Sequence, residues 1–178
     1  MLTIHNIGNF VSKKDCDFLI EYHKKFKHKQ IHEMVNGQTI YVPYALIPFY
    51  HLRTQFILKK YIRKVKKLIP GLIHNHTQIV YWEDKTSMLS HRDTHSDWTS
   101  ICNLNDDYEG GETIVEGNKF TSRKGRSLIF EGSKLNHGVD KVKGNRYTLI
   151  SWWYKKWKYQ LSVPVTVDLL PHSIGVGI

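Results

Sequence analysis

"RYTLISWWY", residues 146–154, reads as a β-strand that opens on a charge. β-Branched and aromatic side chains fill it, and no glycine or proline interrupts it. Side chains two apart on a strand share a face, so Arg146 and Thr148 point the same way. Upstream lie similar short runs: "TQIVYW" (77–82), "WTSICNL" (98–104), "ETIVEG" (112–117) and "SLIFEG" (127–132). Between them stand turn formers: "NDDYEGG" (105–111), "EGNK" (116–119), "RKGR" (123–126) and "VKGN" (142–145). Several short strands at this spacing predict a barrel or a jelly-roll sandwich.

The first 71 residues differ in character. Ser12 followed by Asp15 resembles a capping box, and Cys16, Leu19, His23 and Phe26 recur behind it at helical spacing. The spacing predicts a helix over 13–28. A second is predicted from Arg53 to Ile69, with the stripe Leu58, Tyr61, Ile62, Val65, Leu68 and Ile69, ended by Pro70-Gly71. "QTIYVPYALIPFY" (38–50) is broken by Pro43 and Pro48 and reads as irregular strand and loop. Helices first and strands after give a mainly β chain with flanking helices (α+β), the helices packed outside the sandwich. The expected division is helical support over 1–71, a core over about 72–157 and an extended tail over 158–178, all one domain.

The chain has 178 residues, 40% of them hydrophobic, enough for one domain with a substantial core. No apolar run approaches the ~20 residues of a membrane-spanning helix, so no membrane partner is expected. "MLTIHNIGNFVSKKDCDF" lacks a basic segment followed by an apolar one, so no secretory signal is expected. Two cysteines, Cys16 and Cys102, exclude a disulfide framework and make a cytoplasmic setting the default. The net charge is +10, and seven Lys/Arg with no acid fall between Arg53 and Lys67. Solvated helix faces account for this; a polyanionic partner or acidic peptide is the alternative. The apolar tail "QLSVPVTVDLLPHSIGVGI" (160–178) is expected to add to a sheet edge or to cross to a second subunit of a homodimer.

The chemistry lies in "HRDTHSDW" (91–98), which is either a polar loop or a metal site. On a strand, His91 and Asp93 would face one way. An imidazole and a carboxylate are two of the three ligands of a facial triad, which suits Fe(II) because three adjacent positions stay open. A candidate third ligand is His137 in "SLIFEGSKLNHGV" (127–139), after an apolar strand and a glycine-containing turn. Nine residues on, Arg146 opens its strand. An arginine pointing into an apolar interior needs an anion, and its fork suits a carboxylate. The Thr148 hydroxyl is placed to donate to the same anion. "GGET" (110–113) reads as a tight turn whose glycines allow unusual backbone angles, so Glu112 reads as structural. "HNH" (74–76) lacks the other parts of a nuclease site, and Trp152 and Trp153 read as core and sheet-face residues.

In order and spacing, "HRD", "LNDDYEGGET" (104–113), "KGRSLIFEGSKLNHGV" (124–139) and "GNRYTLISWWY" (144–154) resemble the Fe(II)- and 2-oxoglutarate-dependent dioxygenases, the prolyl 4-hydroxylase branch in particular. "IGNFVSKKDCDFLIEY" (7–22) is similar to that family's first strand and helix, so the resemblance spans roughly 3–155. It implies a double-stranded β-helix, a cupin-like jelly roll, with iron held by His91, Asp93 and His137. It further implies 2-oxoglutarate on Arg146, with Tyr81, Thr148 and Asn103 as further contacts. Asn103 stands where relatives carry tyrosine. The implied reaction hydroxylates a C–H with O2 while 2-oxoglutarate becomes succinate and CO2; ascorbate is a candidate reductant. The branch suggests a peptide or protein substrate containing proline, with His95, Asp97 and Trp98 as candidate contacts. A free amino acid, another protein side chain or a nucleobase is the alternative, as is a non-catalytic binding module. No second arginine follows Arg146 closely, which disfavours nucleic acid.

Overall fold

Arg146–Lys155 forms a strand at the centre of the larger sheet, antiparallel to Leu72–Trp82 on one side and to Trp98–Asn103 on the other. The computed structural model of the chain describes residues 3–25, 30–35, 38–46 and 52–155, the strands at 30–35 and 38–46 by their backbone alone. In chain order the elements are β1 (Ile4–Ile7), α1 (Lys13–Lys25), β2 (Gln30–Val35), β3 (Gln38–Leu46), α2 (Leu52–Leu68), β4 (Leu72–Trp82), β5 (Met88–His91), β6 (Trp98–Asn103) and β7 (Glu109–Gly110). There follow β8 (Thr113–Val115), β9 (Asn118–Phe120), β10 (Ser127–Phe130), β11 (His137–Val139), β12 (Val142–Lys143) and β13 (Arg146–Lys155).

The larger sheet has the order β1-β10-β6-β13-β4-β3-β2, and a second sheet has the order β5-β11-β8-β9. Alternation along β13 gives the larger sheet two apolar faces. Leu149 and Trp153 join Ile79, Cys102 and Ile129 beneath the helices. Ile150 joins Val80, Trp82, Ile101 and Phe130 toward the second sheet, where Val115 and Val139 meet them. Two antiparallel sheets closed over one core, with helices on the outer face of the larger, make the expected double-stranded β-helix.

Both helices form for the reasons the sequence offered. The Asp15 N–H donates to Ser12 Oγ at 3.2 Å and to Ser12 O at 3.0 Å, capping α1. Cys16, Leu19, Ile20 and Tyr22 bury its inner face. α1 is described to Lys25, and the rest of the expected helix lies outside the described residues. In α2 Tyr61 and Val65 are buried as expected, and Ile62, Leu68 and, just past its end, Ile69 pack partly buried against the core, while Thr54 and Ile57 join the stripe in place of Leu58. Gly71 takes φ +85° just after it, a backbone state that favours glycine. Lys59, Lys60, Arg63, Lys66 and Lys67 face solvent, while Lys64 reaches back to donate to Phe10 O at 2.6 Å.

Two expectations change. The first 71 residues are more than helical support, since β1 pairs with β10 and β3 with β4 inside the larger sheet. Of the stretch expected to be irregular, 38–46 is the strand β3, laddered on β2 with Pro43 inside the pairing, and 47–50 lie outside the described residues. Any role for the tail falls on residues outside the description.

Below Trp153, His74 packs edge-on to that indole and its Nε2 lies 2.7 Å from Thr77 Oγ1. Burial, then the charges of His76 and Lys66, push its pKa down to about 4. Unfolding returns the ring to its ordinary value of about 6.5. The unfolded chain therefore takes up the proton first, and stability falls as pH drops from about 6.5 toward 4. Urea denaturation at pH 7 and 4.5 is expected to show this fall, and His74→Gln to reduce it; an equal fall in the variant would acquit His74.

Candidate metal centre and anion socket

His91, the last residue of β5, stands directly opposite His137, the first of β11. That pairing brings the two rings to 4.3 Å between centroids. Asp93 lies beyond the end of β5, so strand alternation is not what aims it. The loop turns it inward, and its N–H donates to Gly132 O at 3.0 Å. Asp93 Oδ1 then sits 4.0 Å from His91 Nε2 and 3.6 Å from His137 Nε2. One atom from each of the three residues falls within 4.8 Å of the others.

Hydrogen bonds to the backbone orient both rings of this cluster. His91 Nδ1 donates to Leu89 O, and His137 Nδ1 to Leu135 O, each at 3.0 Å. A carbonyl only accepts, so each Nδ1 carries a proton and Nε2 is the ring nitrogen left facing Asp93. Burial pushes the Asp93 carboxyl up, but hydrogen bonding and charge from His137, with Thr99 and His91, hold it below the ordinary carboxylate range. Two imidazole Nε2 atoms and a carboxylate thus converge. That donor set fits a divalent transition metal and leaves the side facing the cavity open.

Arg146 is fully buried. Its Nε donates to Tyr108 Oη at 3.2 Å. Its Nη2 donates to Thr113 Oγ1 at 3.0 Å and reaches Asn103 Oδ1 at 3.5 Å. Trp82 covers it, with Cζ 5.2 Å from the indole centroid. Nη1 is buried and has no partner among the described residues, and no acid among them forms an ion pair with this cation. A buried guanidinium with an idle N–H fits an anionic ligand. The turn beside it uses its glycines as expected: Gly110 and Gly111 take φ +64° and +63°, and Gly111 N–H donates to Lys141 O at 3.1 Å.

The remaining candidates divide. Asn103 shares the inner face with Thr148, its partner across the ladder. The Thr148 hydroxyl accepts from Trp82 Nε1 at 3.1 Å and donates toward Val80 O at 3.5 Å, so its proton is not aimed at an anion. Tyr81 does not reach the site. The register sets it beside Tyr147 on the helix side, where the two rings stack at 4.8 Å and its Oη donates to Asn145 Oδ1 at 2.6 Å. Its neighbour Trp82 faces inward instead. Asp97 is buried and takes the Lys155 N–H on Oδ2 at 2.9 Å, tying the loop to β13. Trp98 is buried in the cluster beneath the helices, away from the cavity. Of the expected substrate contacts, His95 alone lines the cavity.

That cavity, about 530 Å³, has the triad on its wall and Val80, Trp82, Ile101 and Ile150 among its apolar residues. His76 and Trp152 form another side, stacked at 4.5 Å with 15° between planes. The sequence marks Trp152 only as a sheet residue and His76 as part of an incomplete motif. For Trp152 a signal exists, since it shares strand parity with Arg146, Thr148 and Ile150. No local feature reveals the parity of Trp82 or His76.

No protein-family model matches the chain, and no curated protein does. Solved structures do resemble it. A viral collagen prolyl hydroxylase from Paramecium bursaria Chlorella virus-1, solved with 2-oxoglutarate, is similar over 84% of this chain and 94% of its own, at 19% identity and TM-score 0.62. A prolyl hydroxylase from Trichoplax adhaerens, in complex with a hypoxia inducible factor peptide, is similar over 90% and 87%, at 13% identity and TM-score 0.66. The non-haem epimerase SnoN of nogalamycin biosynthesis is similar over 93% and 86%, at 11% identity and TM-score 0.68. At these identities the likeness is one of architecture: the chain has the fold of the 2-oxoglutarate- and Fe(II)-dependent oxygenases.

Proposed function

We propose that this protein is an Fe(II)- and 2-oxoglutarate-dependent oxygenase that hydroxylates a C–H bond, with peptidyl proline as its first candidate substrate. One observation carries the reading. A His-Asp-His donor set opens on the same cavity whose Trp82 wall covers a buried arginine with an unpaired N–H. A donor cluster alone would suit many metals, and a buried arginine alone many anions. The first on the cavity wall and the second directly behind its Trp82 side together suit a metal and a dicarboxylate.

Iron with 2-oxoglutarate and O2 supplies, when bound, the oxidising power for the hydroxylation, and succinate and CO2 are the by-products. The chain's own residues hold, orient and keep dry. His91, Asp93 and His137 hold the cation from one side. Arg146 offers Nη1 to the far carboxylate of the dicarboxylate, while Tyr108, Thr113 and Asn103 keep the guanidinium in place. Trp82, rather than the expected Tyr81, is the aromatic that lies against the Arg146 guanidinium. Val80, Ile101 and Ile150 exclude water from the floor. His76 and Trp152 offer a flat aromatic side against which a substrate ring or chain packs.

Two prolyl hydroxylases among the similar structures, one of them holding a peptide, support a peptide substrate. The epimerase of the same fold makes small molecules the comparison arm of any screen.

Anaerobic addition of Fe(II) and 2-oxoglutarate is expected to give a weak visible charge-transfer band, abolished by His137→Ala. No band in folded wild type would refute the assignment. Arg146→Met is expected to melt no lower than wild type without ligands, because it removes a buried cation with no ion-paired acid. It should also lose the thermal stabilisation that 2-oxoglutarate gives the wild type; retention of that shift would exclude Arg146 as the anchor. Proline-containing peptides, free amino acids and small aromatic substrates are then compared by succinate release, and release with peptide alone would fix the class.

A further inference from the structure

Asp93 is the one ligand that no strand holds. It sits past the end of β5, where its carboxylate is able to turn and present one oxygen or both. Two contacts remove that freedom. Its N–H is fixed to Gly132 O at 3.0 Å. Its Oδ2 accepts a hydrogen bond from Thr99 Oγ1, so Oδ1 is the oxygen left facing the two histidine Nε2 atoms.

Thr99 is well placed to do this. It is 2% exposed, on β6, locked between Phe130 of β10 and Trp152 of β13. Gly132 supplies room: a Cβ built there would overlap both Asp93 Oδ2 and Thr99 Oγ1. Its φ is not in the left-handed region, so space rather than backbone conformation is what calls for glycine.

We propose that Thr99 and Gly132 are positioning residues that hold Asp93 as a one-oxygen ligand. The inference rests on the metal reading above. A carboxylate chelating through both oxygens would occupy a further coordination position, and the facial arrangement works only with three adjacent positions open. A neutral hydroxyl that occupies Oδ2 prevents this without adding a charge beside the metal. The same contact orders the loop before any metal binds, so part of the ordering cost is met in the fold itself.

The test is Mn(II) binding by calorimetry and by its paramagnetic resonance spectrum, with thermal melts of each variant. Thr99→Val keeps the shape and deletes the donor; it is expected to weaken Mn(II) binding about 10- to 100-fold, the usual effect of losing an outer partner of a ligand. Thr99→Ser restores the hydroxyl and should recover most of that loss. Gly132→Ala should weaken binding by displacing the carboxylate. If Thr99→Val melts early, Thr99→Ala, which adds no bulk, takes its place. Wild-type affinity in both Thr99→Val and Gly132→Ala, with Asp93→Ala defective, overturns this inference alone. Wild-type affinity in Asp93→Ala overturns the metal reading and the inference with it.

Discussion

Taking a guanidinium out of water costs several kcal/mol even after the protein relaxes around it. Arg146 bears that cost at the first position of β13, fully buried and with no ion-paired acid among the described residues. The surroundings are built to make it tolerable. A phenol, a threonine hydroxyl and an amide oxygen take three of its bonds, and an indole covers its face. They come from the loop before β7, from β8, from β6 and from β4, so both sheets close around a single cation. The N–H that none of them takes is the opening left for a ligand.

The metal centre depends on the same closure in another way. His91 and His137 are 46 residues apart in the chain yet adjacent across one ladder of the smaller sheet. Asp93 arrives from a loop, anchored to the turn that precedes His137. Backbone carbonyls two residues back set the tautomer of both rings. The three ligands are thus fixed from the backbone outward, and no part of the triad relies on a freely rotating side chain.

A good part of this was legible in the sequence. Helix periodicity and the Ser12–Asp15 cap placed α1 and α2 to within a residue or two where they are described, because both signals are local. Turn residues separated the longer strands, but β7, β9 and β12, each three residues or fewer, fall wholly or partly inside the expected turns. His91, Asp93, His137 and Arg146 stood out through the order and spacing of their motifs, which resemble a known family, because His-x-Asp by itself is a weak signal. The reading failed where it needed a register. Tyr81 and Trp82 are neighbours on β4, and a one-residue choice of parity decides which faces the cavity. Both are aromatic, so composition could not decide it. Asp97 and Trp98 look like rim residues in a polar loop, yet one ties that loop to β13 and the other enters the core beneath the helices.

The sequence by itself determined the alternation that makes β13 two-faced, the helical stripes that cover one of those faces, and the residue types able to hold a metal and an anion. These are properties of period and chemistry, carried within a few residues. Only the tertiary structure decided which aromatic covers Arg146, that the Thr148 hydroxyl is spent on Trp82 and Val80, and that Thr99 and Gly132 confine Asp93. Those depend on which strands become neighbours and in what register, and that is set by packing across the whole fold.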